Sequence, residues 1–290
     1  MHPAPSLILF TVLSGLGFGL LVWLGLGLRA PTGLAAFILF GLAYALTGAG
    51  LIAAAFHLGH PERALKAFTQ WRSSWLSREA VLAVATLLVM APHAAASVFL
   101  GNGVPVLGWA GAVLALTTIF ATAMIYAQIR AVPRWHHSST PVVFLLAALA
   151  GGALLAGQVT LALWGMLALS LAMVAHWVAG DRQFRASGSS TGTATGLGSL
   201  GRVRLLEPPH SGRNYLLREM VHVVGRKHAH KLRLIALALG ALLPALLLLL
   251  PVSYISVAVA LMAHIAGMLV QRWLFFAEAE HVVGLYYGKR

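Results

Sequence analysis

Between residues 57 and 79 the chain gathers an imidazole, a guanidinium and a carboxylate at one membrane boundary. The run is His57-Leu-Gly-His60-Pro-Glu62-Arg63, followed by Gln70-Trp71-Arg72 and Ser77-Arg78-Glu79. No other stretch between two apolar segments is as densely polar. Ionisable groups at such a boundary are costly unless paired or wet, which marks them as functional candidates. His57, Arg63 and Glu79 at one depth suit a quinone. Its carbonyl oxygens need N–H donors, and its two-electron chemistry needs a group that exchanges protons. Each residue also has a plainer use. Glu79 fits a helix N-terminus, where the dipole favours an acid, and Arg63 fits a lipid phosphate. Tyr126, Gln128 and Arg130 close a later apolar segment on the same side. They are candidates to complete the pocket, although Tyr126 and Trp135 also fit an interfacial aromatic belt.

These residues are positioned by apolar helices. Of the 290 residues, 59% are hydrophobic and 9% charged, against about 25% charged in a soluble domain. Lipid must therefore be the solvent. The net charge of +13 would point to nucleic acid in a soluble chain. Here the cations sit in connections between apolar runs, so they read as topology signals instead. A span needs about 20 apolar residues. Eight are expected, near 6–28, 34–57, 78–100, 106–128, 140–157, 159–180, 232–250 and 253–277, giving an all-α, eight-helix polytopic bundle over 1–290. The apolar stretch from Pro141 to Gly180 is too long for one helix and breaks at Gly157-Gln158. Pro251 separates the last two spans. Met1-His2-Pro3 lacks a basic run and the first apolar segment is too long for a signal peptide, so it reads as a retained first span.

With eight spans, nineteen of the twenty Lys and Arg residues share one side and only Arg29 lies opposite. Translocated loops are poor in cations, so the rich side and both termini are expected in the cytoplasm of a bacterial inner membrane. That side carries the 58–77 loop with the polar motif and the long basic 181–231 connection. The latter has a Ser/Thr/Gly-rich part from Ala186 to Gly201 and an amphipathic helix expected from Arg213 to His230. In it Leu217, Met220, Val221 and Val224 share a face, while Arg218, His222, Arg226 and Lys227 fall elsewhere. The connection could attract anionic headgroups or serve as a docking element.

There are no cysteines, which excludes disulfides and thiolate-ligated iron–sulfur clusters. His93, His176 and His264 lie within spans. Only His57 and His176 lie roughly level, and interhelical hydrogen bonding is the expected role of such histidines rather than haem ligation or metal binding. Gly15-x-x-x-Gly19 is a helix-packing pattern. A polytopic transporter also fits eight spans with intramembrane histidines, but no internal repeat or paired broken helices are visible.

The runs His57-Leu-Gly-His-Pro-Glu-Arg-Ala64, Leu76-Ser-Arg-Glu79 and Tyr126-Ala-Gln-Ile-Arg-Ala-Val-Pro-Arg-Trp135 with Thr140-Pro141 resemble the membrane anchor subunit of dimethyl-sulfoxide-reductase-family molybdoenzymes. The resemblance covers the first six spans. It implies an eight-helix anchor without haem, holding an iron–sulfur electron-transfer subunit and a molybdopterin catalytic subunit on the membrane and exchanging electrons with ubiquinone or menaquinone. It places His57 and Glu79 at the quinone, with Gly59 and Arg63 matching the same motif. In the respiratory dimethyl-sulfoxide reductase that motif faces the periplasm, whereas charge counting here puts it in the cytoplasm. Arg202-Val-Arg-Leu-Leu-Glu-Pro-Pro-His210, Asn214-Tyr-Leu-Leu-Arg-Glu219 and the tail Arg272-Trp-Leu-Phe-Phe-Ala-Glu-Ala-Glu-His281 are similar to the anchor of cytoplasm-facing, quinone-reducing sulfite dehydrogenases. That branch implies oxidation of sulfite to sulfate with electrons running to quinone. The alternative is the reverse flow, from quinol to a terminal acceptor.

Overall fold

A computed structural model describes residues 2–207, 212, 214–221, 227–251 and 253–288. Eight apolar helices form a bundle: α1 (Pro5–Gly25), α2 (Gly33–Ala55), α3 (Trp75–Phe99), α4 (Pro105–Ala127), α5 (Ser139–Leu155), α6 (Val159–Ala186), α7 (Ala229–Leu249) and α8 (Tyr254–Ala277). Seven are long and apolar enough to cross a membrane, and α5 has 17 residues, the short end of the range of about 17–25. No strand occurs among the described residues. The polytopic all-α class is therefore as expected, with ends shifted by a few residues.

The helix ends follow from local chemistry. Gly157 takes a left-handed conformation, φ +68°. Its N–H donates to the Leu154 carbonyl and that of Gln158 to Ala153, which closes α5 and opens α6. A side chain would be strained there. Beyond Pro251, the Ser253 hydroxyl accepts from the Ser256 N–H at 3.1 Å and starts α8. α3 starts at Trp75, with Ser74 as its cap, so Glu79 lies in the second turn rather than at the opening. α2 stops at Ala55, which leaves His57 beyond the helix. α6 continues to Ala186, past the expected 180, because Asp181 on its extra turn is neutralised by two arginines.

Of the amphipathic helix expected over 213–230, Arg213 and 222–226 lie outside the described residues. Tyr215–Glu219 forms a short helix capped by Asn214, whose side chain accepts from the Leu217 N–H. Met220 and Val221 fall outside that helix.

α1 is the hub and packs against α2, α4, α5 and α8. Its glycines let backbones touch. A Cβ on Gly17 would overlap Thr47 and Ala43 of α2, and one on Gly19 would overlap the Ala148 carbonyl of α5. Gly152 of α5 faces the Gly19 backbone in the same way. Gly15 has space, its nearest neighbour being Ala148 Cβ at 3.9 Å, so of the expected glycine pair only Gly19 is sterically required. Trp23 Nε1 donates to the Leu149 carbonyl at 2.9 Å, and Thr86 and Thr118 meet at 3.1 Å between α3 and α4.

α7 contains a π-turn over Ala238–Leu242, just before Pro244. Pro244 has no N–H for the Gly240 carbonyl four residues back. The wider turn makes room for the ring, and His264 Nδ1 of α8 donates to the Gly240 carbonyl instead, at 2.6 Å. Beside it Gly240 and Gly267 bring α7 and α8 into backbone contact.

At one end of the bundle two arginines and two acids tie four segments together. Arg233 of α7 donates to both carboxylate oxygens of Asp181, at 2.7 and 2.8 Å, and its Nε to Glu278, also at 2.7 Å. Arg134 pairs with Asp181 at 2.5 Å and lies 3.6 Å from Glu278.

Gly152→Leu is expected to collapse the α1–α5 contact. Overpacking costs roughly 1–3 kcal/mol where neighbours can shift, and here the neighbour is backbone. Thermal unfolding in detergent should show a clear loss for Gly152→Leu and almost none for Gly15→Ala.

Candidate functional site

The chain between α2 and α3 folds as a 3-10 helix, Pro61–Phe68, and a turn that returns to Trp75. Arg78 fastens this loop to α3. Its guanidinium donates to the carbonyls of Trp71, at 3.0 Å, and Arg72, at 2.7 Å, and lies 4.4 Å from the Trp75 ring centroid. Loop and α3 enclose a groove of about 400 Å³ whose walls include Gly59, His60, Arg63, Lys66, Gln70 and Ser77. Four of these carry N–H or ammonium donors. His60 lies 2.9 Å from Glu62, and Arg63 lies 3.9 Å from it. Both pairs are exposed and so contribute little to stability, which leaves the two side chains available to a ligand.

Ser77 differs from these surface groups. It is buried, and its hydroxyl has no hydrogen-bond partner among the described residues. A hydroxyl left without a partner in an apolar wall is costly. The residue lines the groove, with the hydroxyl oxygen itself closed off inside the α3 wall.

Glu79, two residues on, turns inward. It is buried, and its carboxylate accepts from the Thr122 hydroxyl of α4. Tyr126, one turn further along α4, lies within electrostatic reach of Glu79 and of Arg272 on α8. Its ring is buried among Trp135, Phe144, Phe275 and Phe276, with centroids 5.3 to 5.8 Å away. Trp135 Nε1 donates to the Phe275 carbonyl at 2.9 Å, so this cluster locks the α4–α5 connection onto α8.

The residues singled out in the sequence thus divide into separate places. Gly59 and Arg63 share the groove. Glu79 and Tyr126 stand behind it, inside the bundle. His57 is exposed on the turn after α2 and does not line the groove, whereas His60 does. Arg130 is exposed on a different turn, after α4. Among the spanning histidines, His93 bonds the Val104 carbonyl at 2.9 Å at the start of α4. His176 is buried, 2.8 Å from Ser139, which in turn contacts His137. His57 and His176 are not brought into one environment. Among the described residues no three His, Asp or Glu side chains converge as a metal site.

Ser77 and Arg272 carry weight that sequence reasoning did not assign. Ser77 sits inside the quoted Leu76-Ser-Arg-Glu79 run, where its burial was invisible. Arg272 is a lone cation within the last apolar run, and that position was the available signal.

A family profile described as DMSO reductase anchor subunit (DmsC) matches residues 1–178. The chain is also 33% identical to the C subunit of the sulfite dehydrogenase of Allochromatium vinosum over 327 aligned positions, covering 99% of each chain. No solved structure matches. With a family match over more than half its length and a relative aligned from end to end, the chain belongs to the DMSO reductase anchor subunit family, as a membrane subunit of a molybdoenzyme complex.

Proposed function

We propose that this chain is the quinone-reactive anchor of its complex, passing electrons from an iron–sulfur subunit to the quinone pool while a molybdopterin subunit oxidises sulfite to sulfate. The observation that carries the reading is the groove, whose walls bring His60, Arg63 and Ser77 together, with the buried carboxylate of Glu79 two residues beyond Ser77. Sulfite as the substrate of the complex draws on the name of the Allochromatium relative, which is that of a sulfite dehydrogenase.

The groove fits a quinone head group. It has the volume, it opens at the edge of the bundle, and its donors are of the kind a carbonyl oxygen accepts from. A bound quinone supplies the two-electron acceptor. The protein's part is binding, orientation and proton supply. Ser77 donates a hydrogen bond from the α3 wall. Arg63 and His60 present N–H groups from the loop, and His57 stands on the turn between α2 and that loop. Gly59 has no atom within 4 Å of where a Cβ would be, so it leaves the loop side of the groove open. Glu79 holds the proton exchanged with the site, kept from bulk water by α4 and steadied by Thr122. Sulfite oxidation releases an electron pair and protons, and quinone reduction consumes the same, so the complex as a whole stays balanced.

The cation-rich end of the bundle, which bears the groove, would face the cytoplasm, together with both termini and the 181–231 connection. The iron–sulfur and molybdopterin subunits would dock there, so that electrons cross little hydrocarbon before reaching the groove.

In the intact complex, Ser77→Ala is expected to lower kcat/KM for quinone about two- to tenfold, the range for one neutral hydrogen bond of roughly 0.5–1.5 kcal/mol. Glu79→Gln is expected to lower kcat by about a hundredfold or more, as for loss of a general acid–base group. Arg130→Ala, on a separate turn, should change either constant less than threefold. Steady-state assays with a soluble quinone analogue would measure all three. Full activity in Glu79→Gln would remove the carboxylate from the mechanism.

The absence of cysteine makes orientation testable by single replacements at exposed positions. In intact cells, Leu28→Cys is expected to react with a membrane-impermeant maleimide, and Leu65→Cys only after the cells are opened.

A further inference from the structure

A second polar site lies deeper, between α1, α4, α5 and α8. It is a narrow cavity of about 20 Å³, bordered by Thr11, Ser14, Thr122, His264, Met268 and Arg272. Arg272 is buried, and its environment is unusual for a cation inside a membrane bundle. It makes no ion pair among the described residues. One N–H group donates to Gln271 Oε1 at 3.0 Å, and its plane lies 3.5 Å from the Phe144 ring centroid. A guanidinium carries five donors, so the rest need acceptors.

His264 poses the complementary problem. It is fully buried. Its Nδ1 must carry the proton, because it bonds a carbonyl oxygen, that of Gly240. In a neutral ring Nε2 is then an acceptor. It makes no well-formed hydrogen bond, and the polar group nearest to it is the Ala147 carbonyl. The hydroxyls along the wall have spent their protons. Ser14 donates to the Phe10 carbonyl at 2.6 Å, Thr11 to that of Leu7 at 3.0 Å, and Thr122 to Glu79. Each keeps lone pairs for an incoming donor.

Only a small molecule that both donates and accepts meets all these needs. The volume admits one or two molecules of water size, since a single water needs at least about 10–15 Å³. We infer that this cavity is a structural water site, in which water accepts from Arg272 and donates to the wall hydroxyls of Thr11, Ser14 and Thr122. Because Thr122 belongs to both the cavity and the Glu79 hydrogen bond, the site puts water one hydroxyl away from the Glu79 carboxylate. The use of that water as the store from which Glu79 recovers its proton rests on the reading of Glu79 given above. The water site itself does not.

Radiolytic footprinting of the intact complex with mass spectrometry tests it. X-ray pulses turn bound water into hydroxyl radicals that oxidise the side chains beside it. Met268 borders the cavity although it is 3% exposed, while Met90 and Met166 are fully buried outside it and Met262 is exposed. Met268 is expected to be oxidised at least tenfold faster than Met90 and Met166, and Gly15→Val, which adds methyl groups at the cavity wall, should bring it down to their level. A Met268 rate equal to that of Met90 and Met166 would overturn the site, as would an unchanged rate in Gly15→Val. Quinone reduction in Gly15→Val should slow several-fold at unchanged KM. If labelling disappears but the rate holds, the link to Glu79 falls. If Glu79→Gln is fully active, the quinone reading falls while the Met268 result stands by itself.

Discussion

In hydrocarbon no helix is driven against another by water, so this bundle depends on how closely α1 lets its neighbours approach. Dispersion and short polar contacts must do what the hydrophobic effect does elsewhere, and both require near contact. Gly17 and Gly19 provide it. Through them the backbone of α1 meets α2 on one side and α5 on the other, with Gly152 completing the second contact. Because α1 also touches α4 and α8, its position fixes the distance from Thr122 to Arg272 across the interior. The polar site inside the bundle exists because α1 stands close enough to wall it with Thr11 and Ser14.

The same solvent demands an accounting of every polar group. The answers here are local and reciprocal. Pro244 leaves the Gly240 carbonyl without its helical partner, and His264 supplies one from the neighbouring helix. The Tyr44 hydroxyl of α2 donates to the Leu87 carbonyl of α3 at 2.7 Å. Among the described residues the accounting leaves side-chain atoms without a partner at Thr47, Ser77, Arg134 and His264, some at the bundle edge and some inside. An orphaned hydroxyl that costs stability at the edge of a groove is the kind of local inconsistency that function tolerates.

Much of this was legible in the sequence, for definite reasons. Span number and breaks follow from apolar length and from residues that cannot continue a helix, so Gly157 and Pro251 appear where expected. The family motif groups the candidate residues at one end of the bundle. Side-chain direction was not legible. In helices apolar on every side, periodicity gives no inward face, and nothing in the string His57-Leu-Gly-His60 says which imidazole lines a groove. That choice depends on α2 ending at Ala55 and on Arg78 pulling the loop back onto α3. For the same reason Tyr126 fits a quinone pocket and an interfacial belt equally well in the sequence. Its burial is set by Phe275 and Phe276, about 150 positions away, and no local pattern encodes a contact at that separation.

The two ends of the bundle are built differently, and the difference follows from where charge is placed. At the end that carries the groove, Arg134, Asp181, Arg233 and Glu278 form a connected set in which each acid meets both arginines. These partly buried pairs link the α4–α5 connection, α6, α7 and the chain just past α8, and networks of this kind hold geometry better than isolated surface pairs do. Trp135 and Phe275 brace the same junction from within, stacked at 5.2 Å. The opposite end has tight turns at Gly27, Gly101 and Gly157 and a single cation, Arg29. Rigidity is thus concentrated at the end where Glu79 and the groove lie. Glu79, Tyr126 and Arg272 descend from three different helices onto one side of that braced region. A carboxylate and a guanidinium can be kept in a membrane interior without touching only if the helices bearing them are held in fixed register, and the ion-paired clamp together with the α1 glycine contacts supplies that register from two directions.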